Sequence, residues 1–322
     1  MQDDAAAARL PTTAPFHLEA TVRVLQRRPG SHEVWEQNRY LRVFATTDGL
    51  VLTAVENRGS IDAPDVRLSI LAGAPSEHTR RGLEQTLAKM LGLSVDPAPL
   101  HAATMRLRSL RPAAVALRGM RPPRFATLFE TFGSVVPFQQ LSLDAGAAIV
   151  RRLVERFGEQ LSRGGKSYAA FPQASAIAGA RLPSLLACGL SRSKAESLRG
   201  LAKAVEEGEV SEEAIAPLAT SDALAALVAL PGIGPWSAAV VLLRGFGRLE
   251  VFPPGDSGAI RGLTALLRSR SPASLARVIE RFGNYRGYLY LCGLGASLLA
   301  KGLIRSADAA GPTTSRAGSA TA

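Results

Sequence analysis

The chain has 322 residues, of which 47% are hydrophobic and 20% are charged, which is enough for about two or three domains with substantial cores. Its formal net charge of +11 favours nucleic acid, or an anionic membrane surface, as the partner. The two cysteines, Cys188 and Cys292, exclude a four-cysteine iron–sulfur cluster, and the four histidines lack the spacing of metal ligands.

The ends of the chain are predicted to be disordered tails, because residues 1–15 and 307–322 are rich in Ala, Ser, Thr, Gly and Pro. The N-terminus carries acidic residues where a secretory signal would be basic. The longest uncharged stretch, 223–243, contains Pro231 and Pro235, which would break a membrane-spanning helix. We therefore expect a cytoplasmic protein without a membrane segment, associated with the nucleoid if it is bacterial.

Residues 16–97 are predicted to form a small α+β domain. Alternating apolar and polar residues in FHLEATVRVL (16–25) predict a half-buried strand, and RYLRVFATTDGLVLTAVEN (39–57) predicts two strands around an Asp48-Gly49 turn. VRLSILAG (66–73) predicts another strand. Apolar residues at helical spacing in 76–93 predict a helix that ends near Gly92.

After residue 97 the strand pattern disappears, and helical stretches follow with short linkers that contain Gly, Pro or Ser. The predicted fold is thus an α+β N-terminal domain followed by an all-α, two-lobed core over residues 98–306. The predicted helices are 101–118, 123–135, 140–162, 173–178, 182–187, 191–207, 211–218, 221–230, 235–244, 256–268, 272–282 and 284–304.

Charge is distributed unevenly along the helical core. The stretch from His101 to Phe129 carries arginines and no acid, whereas residues 206–213 (EEGEVSEE) are strongly acidic. Such polarity suits a protein that binds a phosphate backbone, although ordinary solvated helix faces would give a similar pattern.

Residues 222–244 have the pattern of two short helices joined by a glycine turn. Gly232 and Gly234 permit a tight turn around Ile233, and Pro235 suits the first position of the second helix. Backbone N–H groups at that helix start can face a phosphate. The segment resembles the helix-hairpin-helix motif, which binds the DNA backbone without reading sequence; a plain helical hairpin is the alternative.

In the hairpin motif, backbone carbonyls often bind a monovalent cation. By this resemblance, a Na⁺ or K⁺ ion would be held by the carbonyl oxygens of Val228, Leu230 and Ile233.

The segment after the hairpin narrows the class of protein. VFPPGDSGAIRGL (251–263) is a Pro-rich loop that leads to Asp256 and a further helix. Hairpin, loop and aspartate at this spacing resemble the HhH-GPD superfamily of DNA base-excision glycosylases. RPPRFATLFETFGSVVPFQQLSL (121–143), LLACGLSRSKAESLRGLAKAVEEGEV (185–210) and the N-terminal domain resemble the branch of 3-methyladenine DNA glycosylase II. The resemblance runs from about residue 16 to residue 305.

The resemblance implies that Asp256 is the catalytic residue. A carboxylate there would stabilise positive charge that develops on the sugar and would orient or deprotonate the attacking water. Asp256 is also a good helix N-cap, and the two roles are compatible. Bifunctional members carry a lysine at the position of Trp236, and none occurs between Lys203 and Lys301, so we predict no AP lyase activity.

The resemblance also implies a base pocket and a wedge. Trp236 is the stacking residue by position, and Tyr288 and Tyr290 lie on the helix whose family equivalent lines the same cleft. Tyr288 is the first choice, and Tyr290 could equally be a core residue. Gln139 matches a family glutamine, and Gln140 falls where a wedge would fill the gap left by a flipped base, unless it is a solvent-facing helix residue.

We therefore predict a monomeric, monofunctional DNA glycosylase that excises alkylated purines of the 3-methyladenine and 7-methylguanine type from double-stranded DNA, as the first step of base excision repair. Base flipping and Asp-assisted attack of water would require no cofactor. The alternatives are a non-catalytic helix-hairpin-helix DNA-binding protein and a glycosylase for another lesion, such as uracil or hypoxanthine. Val240 and Ser257 leave the lesion open, because they depart from the family's pocket residues.

Overall fold

An antiparallel sheet of five strands forms the N-terminal domain, in the order β1-β5-β4-β3-β2. The structure, a computed structural model, describes residues 7–27 and 32–309. The predicted turn at Asp48-Gly49 is confirmed, because Thr46 pairs with Gly49 where the two central strands meet. The strands are β1 (Ala8–Arg9), β2 (Glu33–Glu36), β3 (Arg39–Thr46), β4 (Gly49–Asn57) and β5 (Val66–Ala72).

Residues 18–26 form a helix, so the prediction of a strand over 16–25 is wrong. Helix α1 (Leu18–Gln26) begins at His17, whose Nδ1 accepts the N–H of Ala20. One face packs on the sheet through Leu18 and Val22, and another packs on the helical core through Val24. Glu19, Arg23 and Gln26 form a partly exposed polar stripe at helical spacing, but the same short segment also alternates apolar and polar residues, so its pattern fits a strand as well.

The prediction of a disordered tail is wrong for residues 7–15. Strand β1 pairs with β5, and the side chain of Leu10 is buried in the core under the sheet. At the other end, residues 307–309 form a short 3₁₀ turn. Residues 1–6 and 310–322 of the predicted tails lie outside the described residues.

Helix α2 (Glu77–Met90) covers the sheet and ends close to Gly92, as predicted. Ser76 caps it by accepting the N–H of Thr79, and Leu87 and Met90 enter the same apolar core as the sheet.

The remainder of the chain is helical except for one short β-hairpin, which confirms the predicted fold class, and its buried residues divide into two lobes. One lobe packs around Phe132, Leu198 and Ala238, and the other around Leu263 and Leu289. The helices are α3 (Pro97–Met105), α4 (Arg111–Ala116), α5 (Leu128–Gly133), α6 (Leu143–Phe157), α7 (Ala174–Ala178), α8 (Leu182–Leu186), α9 (Arg192–Glu206), α10 (Glu212–Ile215), α11 (Thr220–Val228), α12 (Pro235–Val241), α13 (Ser257–Leu267), α14 (Pro272–Arg281) and α15 (Arg286–Ala300).

One part of the helical core is not helical, contrary to the predicted helix over 140–162. Strands β6 (Gln160–Arg163) and β7 (Lys166–Ala169) form a hairpin around Gly164 and Gly165, both of which have positive φ. The hairpin packs on the N-terminal sheet, where Tyr168 contacts a cluster that contains Leu41. The Gly-Gly turn is a local signal for a hairpin, and the surface of the other domain adds burial that stabilises its two short strands.

Candidate active site and DNA-binding surface

The carboxylate of Asp256 is the centre of the candidate active site. Asp256 caps α13, and its Oδ1 accepts the N–H of Ala259 at 2.8 Å. Its Oδ2 accepts the indole N–H of Trp236 and the hydroxyl of Tyr290, each at 3.0 Å. Three donors thus point at one partly exposed carboxylate and fix its orientation.

The donors of Asp256 come from both lobes. Trp236 lies on α12 and packs, half-buried, against the core of the first lobe. Tyr290 lies on α15 and packs with the residues of the second lobe, where its ring meets that of Phe252 edge-on at 5.8 Å. The carboxylate therefore lies where the two lobes meet.

Tyr290, and not Tyr288, contacts Asp256, which corrects the order of preference from the sequence. Tyr288 is a core residue whose hydroxyl donates to the carbonyl of Met120 at 2.9 Å. Two residues apart on a helix, the tyrosines point to opposite faces. Burial, together with the carboxylate of Asp256, raises the pKa of Tyr290 to about 12, so its hydroxyl remains a neutral donor.

The hairpin has the predicted form, with α11 and α12 joined by a tight turn. Gly232 has φ +78°, and a β-carbon there would overlap Ser197 Oγ of α9, so this position requires glycine. Ile233 is buried and anchors the turn, whereas Gly232, Gly234 and Pro235 are exposed. The exposed backbone is the part that a phosphate could reach.

The backbone carbonyl oxygens of the hairpin are neutral ligands of the kind that would hold a monovalent cation. The carbonyl of Leu230 already accepts the N–H of Ile233 at 3.1 Å, and a carbonyl oxygen has a second lone pair for an ion. Val228, which would supply another of the predicted oxygens, ends helix α11 and has an exposed side chain.

Gln139 is bound within the protein, so the prediction that it belongs to the wedge is corrected. Its Nε2 donates to the carbonyl of Gly232 at 2.8 Å and to Ser237 Oγ at 2.9 Å. Gln140 follows with φ +55° and an exposed side chain, as a wedge requires.

Leu141 is an exposed apolar residue beside Gln140 that the sequence reasoning missed. The exposed fraction of Leu141 is 44%. Apolar side chains of this kind are often the wedges that proteins insert between bases. The signal was Ser142, which caps α6 by accepting the N–H of Ala145 and so leaves Leu141 outside the helix. The predicted helix began at residue 140, so Leu141 was assigned to the helix and its exposure was not recognised.

Two arginines hold the segments on either side of the site. Arg244 lies in a π-helical turn after α12, is fully buried, and donates to the carbonyls of Val24 and Leu25 at the end of α1. Burial, with the charge of Arg27, lowers the pKa of Arg244 to about 9. Arg248 donates to Thr220 Oγ1 at 2.8 Å, which ties the loop before Asp256 to the start of the hairpin.

Val240, one helical turn after Trp236, is fully buried in the core of the first lobe. It does not line an open cleft. Ser257, directly after Asp256, is exposed.

Among the described residues, His32, Glu33 and Glu130 form the one group whose side chains could converge on a metal ion. Arg42 already pairs with both carboxylates, at 2.8 Å to Glu33 and in close contact with Glu130. The group is therefore a buried ion network that joins the sheet to α5. Separately, none of the helices in the described ranges is long and apolar enough to cross a membrane.

Comparison with known proteins gives one consistent family. The model of the HhH-GPD superfamily of base excision DNA repair proteins matches residues 134–283. DNA-3-methyladenine glycosylase 2 of Escherichia coli is 29% identical over 248 residues, which cover 74% of this chain and 82% of the relative. DNA-3-methyladenine glycosylase of Bacillus subtilis is 27% identical over 201 residues, which cover 62% and 66%.

Solved structures show that the likeness of fold includes both domains. The 3-methyladenine DNA glycosylase of Archaeoglobus fulgidus has a TM-score of 0.76 at 24% identity, over 91% of this chain and 99% of that one. The structure of MBOgg1 with a low-affinity DNA ligand has a TM-score of 0.71 at 21% identity, over 92% and 98%.

Proposed function

Because the chain belongs to the HhH-GPD superfamily of base excision DNA repair proteins, in the branch of 3-methyladenine DNA glycosylase II, we propose that it releases alkylated purines from double-stranded DNA. The lesions are of the 3-methyladenine and 7-methylguanine type. The observation that carries the proposal is the carboxylate of Asp256, held by Trp236 and Tyr290 at the junction of the lobes.

Asp256 acts on the sugar rather than on the base. As the bond from C1′ to the base nitrogen breaks, its electron pair leaves with the base and positive charge develops on the sugar. A carboxylate has about four acceptor sites, and three are occupied, which leaves one for a water molecule. That water attacks C1′ and gives its proton to Asp256.

Hydrolysis by water, without AP lyase activity, follows from the residue types near Asp256. Trp236 occupies the position at which bifunctional relatives have a lysine, and its indole has no basic lone pair for attack on C1′. The sequence has no lysine between Lys203 and Lys301 that could substitute. Water is therefore the nucleophile, and the abasic strand is left intact.

Binding combines backbone contacts with one stacking face. The exposed turn contacts phosphates through the backbone N–H groups of Gly232 and Gly234, and Pro235, which has no N–H, begins the next helix. A Na⁺ or K⁺ ion on the carbonyls of Val228, Leu230 and Ile233 would add positive charge there. The flipped cationic purine stacks on Trp236, and Gln140 fills the gap that it leaves. The net charge of +11 supplies the attraction to DNA.

The test is release of free base from duplexes that contain 3-methyladenine or 7-methylguanine. The wild type should release both, and Asp256→Asn should lower the rate by about 100-fold or more, since a stabilising charge is lost. Asp96→Asn, which makes the same change at the exposed N-cap of α3, is the control and should retain the wild-type rate. Uracil and hypoxanthine duplexes serve as competing substrates.

Three results would contradict the proposal. No release of methylated purines by the wild type would make the chain a DNA-binding protein, or a glycosylase for whichever competing lesion it releases. Equal rates for the wild type and Asp256→Asn would exclude the role of this carboxylate. A protein–DNA adduct trapped by borohydride would exclude hydrolysis by water.

A further inference from the structure

Helix α9 supports both of the loops to which DNA contacts have been assigned. Lys194, in its first turn, donates from Nζ to the carbonyl of Gln139 at 2.5 Å and to that of Pro137 at 3.3 Å. One turn further along, Ser197 lies directly under Gly232 of the hairpin turn, where it leaves no room for a β-carbon. The turn before Gln140 and the hairpin turn therefore rest on adjacent parts of one helix.

A third bond closes this arrangement. The amide of Gln139 donates to the carbonyl of Gly232 and to Ser237 Oγ, so the two turns are joined to each other as well as to α9. Gln140 leaves this closed unit with φ +55°, a conformation that a non-glycine residue adopts only when its surroundings impose it. Lys194 supplies the bonds nearest to this strained residue.

Lys194 is in a position where its charge is unfavourable to the helix that bears it. It is three residues after the cap Ser191, and the first turn of α9 contains no acid to offset it, whereas the helix N-terminus itself is positive. Within the described part of the chain its ammonium has no carboxylate partner, and burial lowers the pKa of Lys194. The ammonium of Lys194 therefore uses its charge in hydrogen bonds to the carbonyls of Pro137 and Gln139, which are charge-assisted.

We propose that Lys194 is a positioning residue for base flipping, which holds the Pro137–Gln139 turn against α9 and thereby keeps Gln140 at a fixed place relative to the hairpin. The proposal rests on the proposed function, since it assigns a role in delivering the wedge. The obvious competing role for a lysine near DNA is a direct phosphate contact. The two roles differ in a measurable way, because each phosphate contact contributes about 0.9 to the slope of log affinity against log salt concentration.

The experiment uses the full chain and a duplex with a tetrahydrofuran abasic analogue flanked by 2-aminopurine, whose fluorescence rises when a wedge unstacks it. Affinity is measured by anisotropy over a series of KCl concentrations, and fluorescence at saturating protein. The variants are Lys194→Met and the conservative Lys194→Arg. The matched control is Lys203→Met, on the exposed last turn of the same helix.

Lys194→Met should lower the unstacking equilibrium by about tenfold, as loss of a charge-assisted bond implies, with affinity for undamaged duplex and the salt slope unchanged. Lys194→Arg should restore most of the signal, and Lys203→Met should resemble the wild type. If Lys194→Met does not fold, Gln139→Met removes the other end of the same unit and should give the same loss.

Two outcomes would overturn the proposal. A salt slope reduced by about one, with weaker binding to undamaged DNA, would make Lys194 a phosphate contact. An unchanged fluorescence signal in both Lys194→Met and Gln139→Met would mean that the turn does not depend on these bonds. Neither reading requires base release, so absence of glycosylase activity would refute the proposed function and leave this test intact.

Discussion

Substitution of Arg42 by methionine should strongly destabilise the protein. Arg42, Glu33 and Glu130 each have 4% or less of their side chain exposed, and the arginine pairs with both carboxylates. Although burial opposes it, Glu130, Tyr40 and Glu33 together raise the pKa of Arg42 above its usual value. Arg42→Met would leave two buried carboxylates unpaired, which typically costs about 3–5 kcal/mol of unfolding free energy.

That loss corresponds to a decrease in Tm of about 4–7 °C, if unfolding entropy is about 2.1 cal/mol/K per residue and the chain unfolds as one unit. Urea unfolding followed by circular dichroism, with calorimetry, measures both quantities. The matched variant replaces the whole network, as Arg42→Met, Glu33→Gln and Glu130→Gln. It should recover at least half of the loss, because Arg42 Nε and Glu130 Oε1 have no partner among the described residues even in the native network.

The reasoning would be refuted if Arg42→Met cost less than about 1 kcal/mol, the value of an exposed ion pair. It would also be refuted if the triple variant were less stable than the single one, because unpaired carboxylates would then not be the source of the loss.

Two further predictions concern the site and the response to pH. Tyr290→Phe should lower the single-turnover rate of base release about tenfold, because Asp256 loses a donor while the ring contact with Phe252 remains, whereas Tyr288→Phe should change the rate less than twofold; the reverse order would restore the choice made from the sequence. Burial lowers the pKa of His17. Its contribution to the free energy of unfolding is therefore fully present above about pH 6.5, and it is lost as the pH decreases, because the unfolded chain then binds a proton that the folded chain does not. His17→Asn keeps a cap acceptor for α1 and should lose less unfolding free energy between pH 7 and pH 5, as measured with urea; an equal loss would assign the pH dependence to other groups.

The hairpin and Asp256 could be predicted from the sequence because their signals are local. Two glycines around Ile233, followed by Pro235, specify a turn and a helix start through backbone conformation alone. The helix that begins after Asp256 is specified in the same way, by an aspartate at an N-cap. Such signals depend on a few neighbouring residues, so no knowledge of the tertiary structure is needed to find them.

The wrong predictions concern segments and side chains whose structure depends on packing against residues distant in sequence. The sequence of α1 fits both a strand and a helix, and its packing on the sheet and on the helical core decides between them. Strands β6 and β7 have a local turn signal in Gly164 and Gly165, and they pack on a sheet from another part of the chain. Nothing in the order of residues distinguishes Tyr288 from Tyr290, because the rotation of α15 about its axis is set by its neighbours. Gln139 was misassigned for the same reason, since its partner Gly232 is distant in sequence.

The three donors to Asp256 come from different parts of the chain, so the hairpin and the complete set of donors are synthesised at different times. The hairpin and the loop of Asp256 leave the ribosome before α15, which carries Tyr290. A nascent chain can thus complete the surface assigned to the DNA backbone while its carboxylate still lacks the donor from the second lobe. The full set of three donors to Asp256 therefore exists only when α15 is packed against the rest of the protein.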